Sequence, residues 1–185
     1  RHYYSERRSG LYPNYPKENT QTLIITEAII DAATLLQVPE ITSQFVILAA
    51  YGTNGITYEH KQAIKELKHL QEIIFFFDGD TAGREAAIKN AEELQKLLPQ
   101  VTITSIETPQ DEDVNSLYVK YGKECLMQLI NERKPVNELS FSIESNLIEP
   151  QDNKPSQSFS NPQISTLAHY QISPLNTENP HKITF

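Results

Sequence analysis

Acidic residues follow two apolar stretches of the chain, at positions where they could bind a divalent cation. Asp78 comes directly after the apolar run IIFFF, with Asp80 two residues further on, and Glu27 comes directly after the run TLIIT. Asp31 lies four residues beyond Glu27, so a helix that begins there would place both acids on one side. Carboxylates gathered in one pocket repel one another, and one must take up a proton unless a cation is present. Mg²⁺ suits such a pocket because it prefers oxygen ligands and keeps waters for substrate phosphates.

Each acid also has an ordinary structural interpretation. Glu27 and Asp31 could be first-turn acids that favour a helix N-terminus. Asp78 and Asp80 could be turn formers ahead of the next helix, with Gly79 between them making the turn permissive. Taken together, the acids favour a metal site, because ligands of an open parallel sheet bind beyond the carboxyl ends of its strands.

Strands that alternate with helices are predicted between residues 22 and 131. This pattern indicates an α/β fold, a mainly parallel four-stranded sheet with helices on both faces, of Rossmann-like type. The predicted strands are Thr22–Thr26, Phe45–Ala50, Glu72–Phe77 and Val101–Ile106. The predicted helices are Ala28–Gln37, Tyr58–Leu70, Ala82–Leu98 and Ser116–Asn131.

Composition divides the chain into three parts. Residues 1–21 form a basic and aromatic lead-in, in which Arg7 and Arg8 stand among tyrosines. Cations interleaved with aromatic rings suit single-stranded nucleic acid, although a solvated linker has the same composition. Residues 22–133 form the α/β domain. Residues 134–185 are rich in proline, serine and asparagine, and are expected to be a largely irregular linker and the start of a truncated C-terminal region.

Charge and cysteine content limit the classes of function. The net charge of −8 over 185 residues has the wrong sign for gripping nucleic acid by bulk electrostatics, so such binding needs a local basic patch or metal ions. Cys125 is the only cysteine, which excludes a disulfide framework within the chain. Without an apolar run of about 18 residues, the chain is expected to be cytoplasmic.

Four motifs together resemble the Toprim domain of bacterial-type, DnaG-like DNA primases. The spacing Glu-x-x-x-Asp from Glu27 and the spacing Asp-x-Asp-x-x-Gly-Arg from Asp78 are similar to the two acidic motifs of Toprim domains. Toprim domains also occur in topoisomerases, some nucleases and recombination mediators. The segment Ala49–Thr57 resembles the Gly-Thr loop of the primase branch, and Thr108–Asn115 resembles its acidic loop. The segment His2–Tyr12 is faintly similar to the basic stretch that precedes Toprim in primases. These three matches favour primase over topoisomerase.

The resemblance implies roles for individual residues. Glu27 would be a general acid/base or a metal ligand, and Asp78 and Asp80 would bind Mg²⁺ or Mn²⁺ with support from Asp31. Arg84, at the start of a helix whose dipole favours anions, would contact a phosphate. Arg7 and Arg8 are further candidates for nucleic-acid contact. The implied partners are single-stranded DNA and NTPs, with a replicative helicase as a candidate protein partner.

Two functions remain open at this point. One is Mg²⁺-dependent nucleotidyl transfer that makes RNA primers on single-stranded DNA during replication. The other is a non-catalytic Toprim module that binds DNA or a replication or recombination partner, as recombination mediators of the family do. The chain departs from the family in having Ala28 where glycine is usual, and in lacking a proline between the acids of the acidic loop. A haloacid-dehalogenase-type phosphohydrolase fits less well, because Ala82 replaces its Thr or Val and Glu27 is left unexplained.

Overall fold

The computed structural model describes residues 9–137. Arg7, Arg8 and the predicted linker beyond residue 137 lie outside the described residues. The strands are β1 (Thr22–Thr26), β2 (Val46–Ala49), β3 (Glu72–Phe76), β4 (Thr102–Ser105) and β5 (Lys134–Pro135). The helices are α1 (Ile29–Leu36), α2 (Pro39–Thr42), α3 (Tyr58–Lys65), α4 (Thr81–Leu97) and α5 (Val114–Asn131).

The strands form a single sheet in the order β2-β1-β3-β4-β5. Strands β1 to β4 pair in parallel, and β5 adds to β4 in the antiparallel sense. The predicted α/β class and the four parallel strands are therefore confirmed, and a short fifth strand completes one side. The parallel register pairs Thr26 with Phe76, so β1 and β3 end side by side in the middle of the sheet.

Apolar side chains cover both faces of this sheet, as the apolar runs of β1, β2 and β3 require. One core packs Ile25 and Phe75 against α3 and α4, through residues such as Ile64 and Leu94. The other core packs the alternate strand positions against α1, α2 and α5. Helices on both faces therefore hold the central strands rigidly, and the strand ends can position polar groups.

Several elements differ from the sequence prediction. Helix α3 ends at Lys65 instead of Leu70, yet Leu67 and Leu70 are still buried, because successive i to i+3 turns replace the last helical turns. Helix α5 is interrupted at Gly122, whose φ of 76° is non-helical. Packed structure also continues past the predicted boundary at residue 133, since Val136 is buried in the core.

The described part of the lead-in packs on the domain. Leu11 is buried, and Tyr12 forms an antiparallel bridge with Ala49 at the free edge of β2. The Tyr15 hydroxyl donates to the carboxylate of Glu59, while the Tyr15 ring stays largely exposed. These contacts give this part of the lead-in a structural role. None of the helices between residues 9 and 137 combines the length and hydropathy needed to span a bilayer.

Candidate functional site

Glu27 and Asp78 leave two neighbouring strands at the same edge of the sheet. Each follows its strand by one or two residues, and the strands are parallel and in register up to the pair Thr26 and Phe76. The backbone amide of Asp78 faces the Glu27 carboxylate closely enough to lower its pKa. The structure therefore brings together the two acidic motifs, which are about fifty residues apart in the sequence.

Glu27 carries a carboxylate oxygen with no partner. Its Oε2 atom is buried and makes no hydrogen bond within residues 9–137. Burial raises the pKa of Glu27 to about 7, and the charge of Asp78, followed by those of Asp80 and Asp31, adds to the shift. A buried oxygen without a hydrogen bond is costly, and a neighbouring cation would relieve that cost.

Asp31 lies in the first turn of α1 and is almost completely buried. The backbone N–H of Asn115, in the first turn of α5, donates to Asp31 Oδ1 over 3.2 Å. Burial, together with the charges of Asp113 and Asp78, raises the pKa of Asp31 to about 6. Asp31 thus joins the same electrostatic cluster from the side of α5.

Asp78 and Asp80 occupy a tight turn between β3 and α4. Burial raises the pKa of Asp78, with the charges of Asp113 and Asp80 as further causes. Asp80 is exposed and caps α4, because its Oδ1 accepts the Gly83 N–H over 2.7 Å. A Cβ on Gly83 would stand 2.3 Å from the Asp78 carbonyl oxygen, so the turn requires glycine there. One oxygen of Asp80 is therefore committed to the cap.

The acidic loop is fastened to this turn by its backbone. The Gly79 N–H donates to the Glu112 carbonyl over 2.8 Å, and the Thr108 hydroxyl donates to the Phe77 carbonyl over 2.6 Å. A Cβ on Gly79 would lie 1.8 Å from the Pro109 carbonyl oxygen, so only glycine allows this approach. The contacts bring Asp113, the N-cap of α5, within electrostatic reach of Asp31 and Asp78.

Asp113 is the member of the cluster that the sequence analysis did not select as a site residue. Its signal was the resemblance of Thr108–Asn115 to the acidic loop of primases, which did not indicate which acid turns inward. The structure separates the acids of this loop. Asp111 is exposed with a φ of 60°, and Glu112 pairs with Lys120. Of the acids in this loop, it is Asp113 whose charge raises the pKa of Asp31 and Asp78.

Arg84 is exposed at the start of α4 and is tied to both parts of the site. Its guanidinium donates to the Gly79 carbonyl and, over 2.8 Å, to Gln110 Oε1. Arg84 therefore links the turn after β3 to the acidic loop, and its other N–H groups remain as donors for a ligand. The other two arginines predicted to contact nucleic acid, Arg7 and Arg8, lie outside the described residues.

The donor set fits a hard cation. Across residues 9–137, no Lys, Arg or His forms an ion pair with Glu27, Asp31 or Asp78, and the unpartnered oxygen of Glu27 lies among them. In the same range, no three His, Cys, Asp or Glu side chains converge closely enough to hold one metal ion as they stand. Mg²⁺ is commonly held by one or two carboxylates and several waters, so the acids suit that ion.

Comparison with known proteins agrees with this architecture. The family model described as Toprim-like matches residues 24–118. A DNA primase of Legionella pneumophila is 30% identical over 126 residues, which are 68% of this chain and 21% of that primase. The crystal structure of a DNA primase domain from Pseudomonas aeruginosa has a TM-score of 0.56 and 27% identity, covering 68% of this chain and 37% of that one. The E. coli primase catalytic core has a TM-score of 0.56 and 25% identity, covering 70% and 39%.

The chain thus spans about a fifth of the length of the curated relative it matches. The family match covers both acidic motifs and the loop between them, and ends within α5. The chain therefore belongs to the Toprim-like family, and its described region is a Toprim domain of the DnaG primase type.

Proposed function

We propose that this domain is the Mg²⁺-dependent catalytic module of a primase, which makes RNA primers on single-stranded DNA during replication. One observation carries the proposal: the buried, unpartnered oxygen of Glu27 lies in a cluster of acids that no cation within residues 9–137 neutralises. Acids left unpaired at the ligand edge of a sheet are typical of functional sites rather than of structural ion pairs.

One or two carboxylates from Glu27, Asp78 and Asp80 would bind the metal together with waters, and Asp31 and Asp113 would support them. Mg²⁺, or Mn²⁺ in its place, would supply charge neutralisation for the phosphates of the nucleotide and would orient them for displacement. Without metal the pKa of Glu27 is about 7; a bound cation would lower it and favour the carboxylate that binds the metal. Arg84 would use its remaining N–H groups to contact a phosphate.

The substrates that follow from this proposal are single-stranded DNA and NTPs. Acids dominate the domain's charge, so template phosphates would be held by Mg²⁺ and by basic residues such as Arg7 and Arg8. A replicative helicase is the proposed protein partner, because a primer is needed where a duplex is being opened. Since the chain spans about a fifth of its curated relative, the complete primase activity would draw on parts of the protein beyond these residues.

A metal titration of two matched variants tests the proposal. Asp78→Asn removes a charge from the cluster, and we expect its affinity for Mn²⁺, measured by calorimetry, to fall at least about tenfold. Asp111→Asn removes a charge from an exposed position of the acidic loop and should leave the affinity within about twofold, because solvent and salt screen an exposed charge. Circular dichroism should show both variants folded. Unchanged metal affinity in Asp78→Asn would remove the proposal.

A second candidate function is a non-catalytic Toprim module that binds DNA or a replication or recombination partner. The net charge of −8 favours this alternative, because it opposes template binding by the domain alone. Primer synthesis on single-stranded DNA with NTPs separates the two, with the protein tested together with whatever flanks residues 1–185 in its coding sequence. Metal binding without primer synthesis in that form would favour the non-catalytic module.

A further inference from the structure

His60 is a fully buried histidine in the first turn of α3, where its side chain forms a capping box with the N-cap residue Thr57, and the proposed metal site does not use it. Its Nε2 atom lies 2.9 Å from the Ala49 carbonyl oxygen. Its Nδ1 atom lies 2.7 Å from the Thr57 hydroxyl and 3.2 Å from the Thr57 backbone nitrogen. A carbonyl only accepts, so Nε2 carries the proton, and Nδ1 accepts from the Thr57 N–H and O–H.

These bonds fix the ring in one neutral tautomer. Burial lowers the pKa of His60, which keeps it neutral, while the nearby Glu59 acts in the opposite direction. The ring of Tyr51 packs edge-on against the imidazole at a centroid distance of 5.2 Å. A proton on Nδ1 would oppose the Thr57 N–H, so the arrangement requires the neutral form.

The two partners of His60 stand at the two ends of one loop. Ala49 is the last residue of β2, and Thr57 is the N-cap of α3, so one ring holds together both ends of the loop between them. This loop returns to the proposed site: the Ala50 N–H donates to the Thr26 carbonyl over 2.8 Å, and the Gly52 N–H donates to the Glu27 carbonyl over 3.0 Å. The loop thereby restrains the backbone on which the Glu27 side chain is mounted.

We propose that His60 is a positioning residue for Glu27, acting through the loop 50–57. By pinning both ends of the loop, it fixes the Gly52 N–H against the Glu27 carbonyl, and so fixes the direction in which the Glu27 carboxylate leaves β1. The link from His60 to Gly52 stands on the hydrogen bonds themselves; its consequence for metal binding rests on the proposed function.

The domain has other contacts that keep the loop folded when His60 is replaced. From α4, Asn90 Nδ2 donates to the Thr53 carbonyl over 3.5 Å, and Lys89 Nζ donates to Asn54 Oδ1 over 3.2 Å. We therefore expect loss of the imidazole to loosen the ends of the loop without unfolding the domain. A side chain that served only to fill the core would behave differently, because its loss would lower stability without a local effect at Gly52.

The test compares His60→Leu with Ile64→Ala, a variant of another fully buried residue one turn further along α3. Amide hydrogen exchange by NMR, without metal, reports on the Gly52 N–H. We expect His60→Leu to speed Gly52 exchange at least about tenfold relative to the amides of β1. His60→Gln, which keeps a donor for the Ala49 carbonyl, should speed Gly52 exchange by a smaller factor. If His60→Leu does not fold, the comparison of His60→Gln with Ile64→Ala replaces it. Ile64→Ala should leave the ratio of Gly52 to β1 exchange unchanged.

Mn²⁺ affinity supplies the second measurement. We expect it to fall about tenfold in His60→Leu and to stay within about twofold in Ile64→Ala. Equal exchange ratios at Gly52 in the two variants would overturn the positioning role, as would equal Mn²⁺ affinities. If the wild-type protein bound no Mn²⁺ at all, the proposed function would fail, while the Gly52 exchange ratio would still decide whether His60 positions the loop.

Discussion

Carboxylates at the two ends of the central strands have pKa values shifted in opposite directions. At the start of β3, Glu72 accepts two hydrogen bonds from Arg133, over 2.6 and 2.8 Å, and one from the Thr104 hydroxyl over 2.9 Å. Burial acts to raise the pKa of Glu72, but the hydrogen bonds from Arg133 and Thr104 outweigh it and hold the pKa below its usual value. At the end of β1, burial raises the pKa of Glu27 to about 7, and the acids around it add to the shift.

Burial alone therefore does not decide the state of a carboxylate in this domain; its partners do. At the start of β3, Arg133 of the same chain neutralises Glu72 in a structural ion pair. The opposite end collects Glu27, Asp31, Asp78 and Asp113 and supplies no cation from residues 9–137. We infer that the first end stabilises the fold and that the second end keeps its charge for a ligand.

The largest effect on stability is expected from removing Arg133, the cation at the start of β3. Arg133→Met should lower the free energy of unfolding by about 2–3 kcal/mol at neutral pH, because it leaves Glu72 half-buried without its partner. Because the pKa of Glu72 is depressed in the folded state, the stability from this pair is present above the unfolded pKa and is lost as pH falls through the folded pKa. Urea unfolding should therefore show the difference between wild type and variant shrinking in acid.

The matched control for Arg133→Met is Lys68→Met. Lys68 pairs with Glu18 over 2.8 Å, but 75% of the Lys68 side chain is exposed, so this change should cost no more than about 0.5 kcal/mol. Neither variant should change Mn²⁺ affinity, because both pairs lie away from the acidic cluster. A loss of metal affinity in Arg133→Met would show that the two ends of the sheet are coupled and would break the comparison.

The next largest effect is a fall in stability with rising pH when metal is removed by EDTA. Glu27 and Asp31 have folded pKa values of about 7 and about 6, above their ordinary values of 4.5 and 3.8. Between the unfolded and the folded pKa of each residue, the folded state binds more protons than the unfolded state. The free energy of unfolding therefore decreases as pH rises through this range. After allowance for solvent screening, we expect a loss of about 1–2 kcal/mol between about pH 5 and about pH 8.

Glu27→Gln sharpens this test. The amide has no charge to develop, so the variant should lose less stability over the same pH range than the wild type and should be the more stable of the two at the alkaline end. Mg²⁺ should restore stability to the wild type at that pH by binding the folded state, and should do so less for the variant. A wild type that gained stability over this range in EDTA would show that the acids are already neutralised.

The common sheet edge of Glu27 and Asp78 could be predicted from the sequence because its signals are local. Apolar runs show where β1 and β3 end, and parallel pairing then requires Glu27 and Asp78 to share an edge. The ion pair of Glu72 and Arg133 was missed because the two residues are 61 residues apart, and nothing near either of them in the sequence indicates the other. The contact between His60 and Ala49 could not be predicted either, because it depends on tertiary packing and Ala49 contributes only its carbonyl, which every residue has.

The smallest effect is expected at Ala28, where the sequence departs from the glycine usual in the family. Ala28 is the N-cap of α1 and has φ −114° and ψ 158°, an extended conformation that any residue adopts. Ala28→Gly should therefore leave Mn²⁺ affinity within about twofold. It should change the free energy of unfolding by no more than about 0.5 kcal/mol, because the greater freedom that glycine gives the unfolded chain is offset by the preference for glycine over alanine at an N-cap. Calorimetry and urea unfolding check the two values. A large gain in metal affinity would show that the methyl group obstructs the acidic end, so that backbone crowding, as well as unpaired charge, distinguishes it from the end at Glu72.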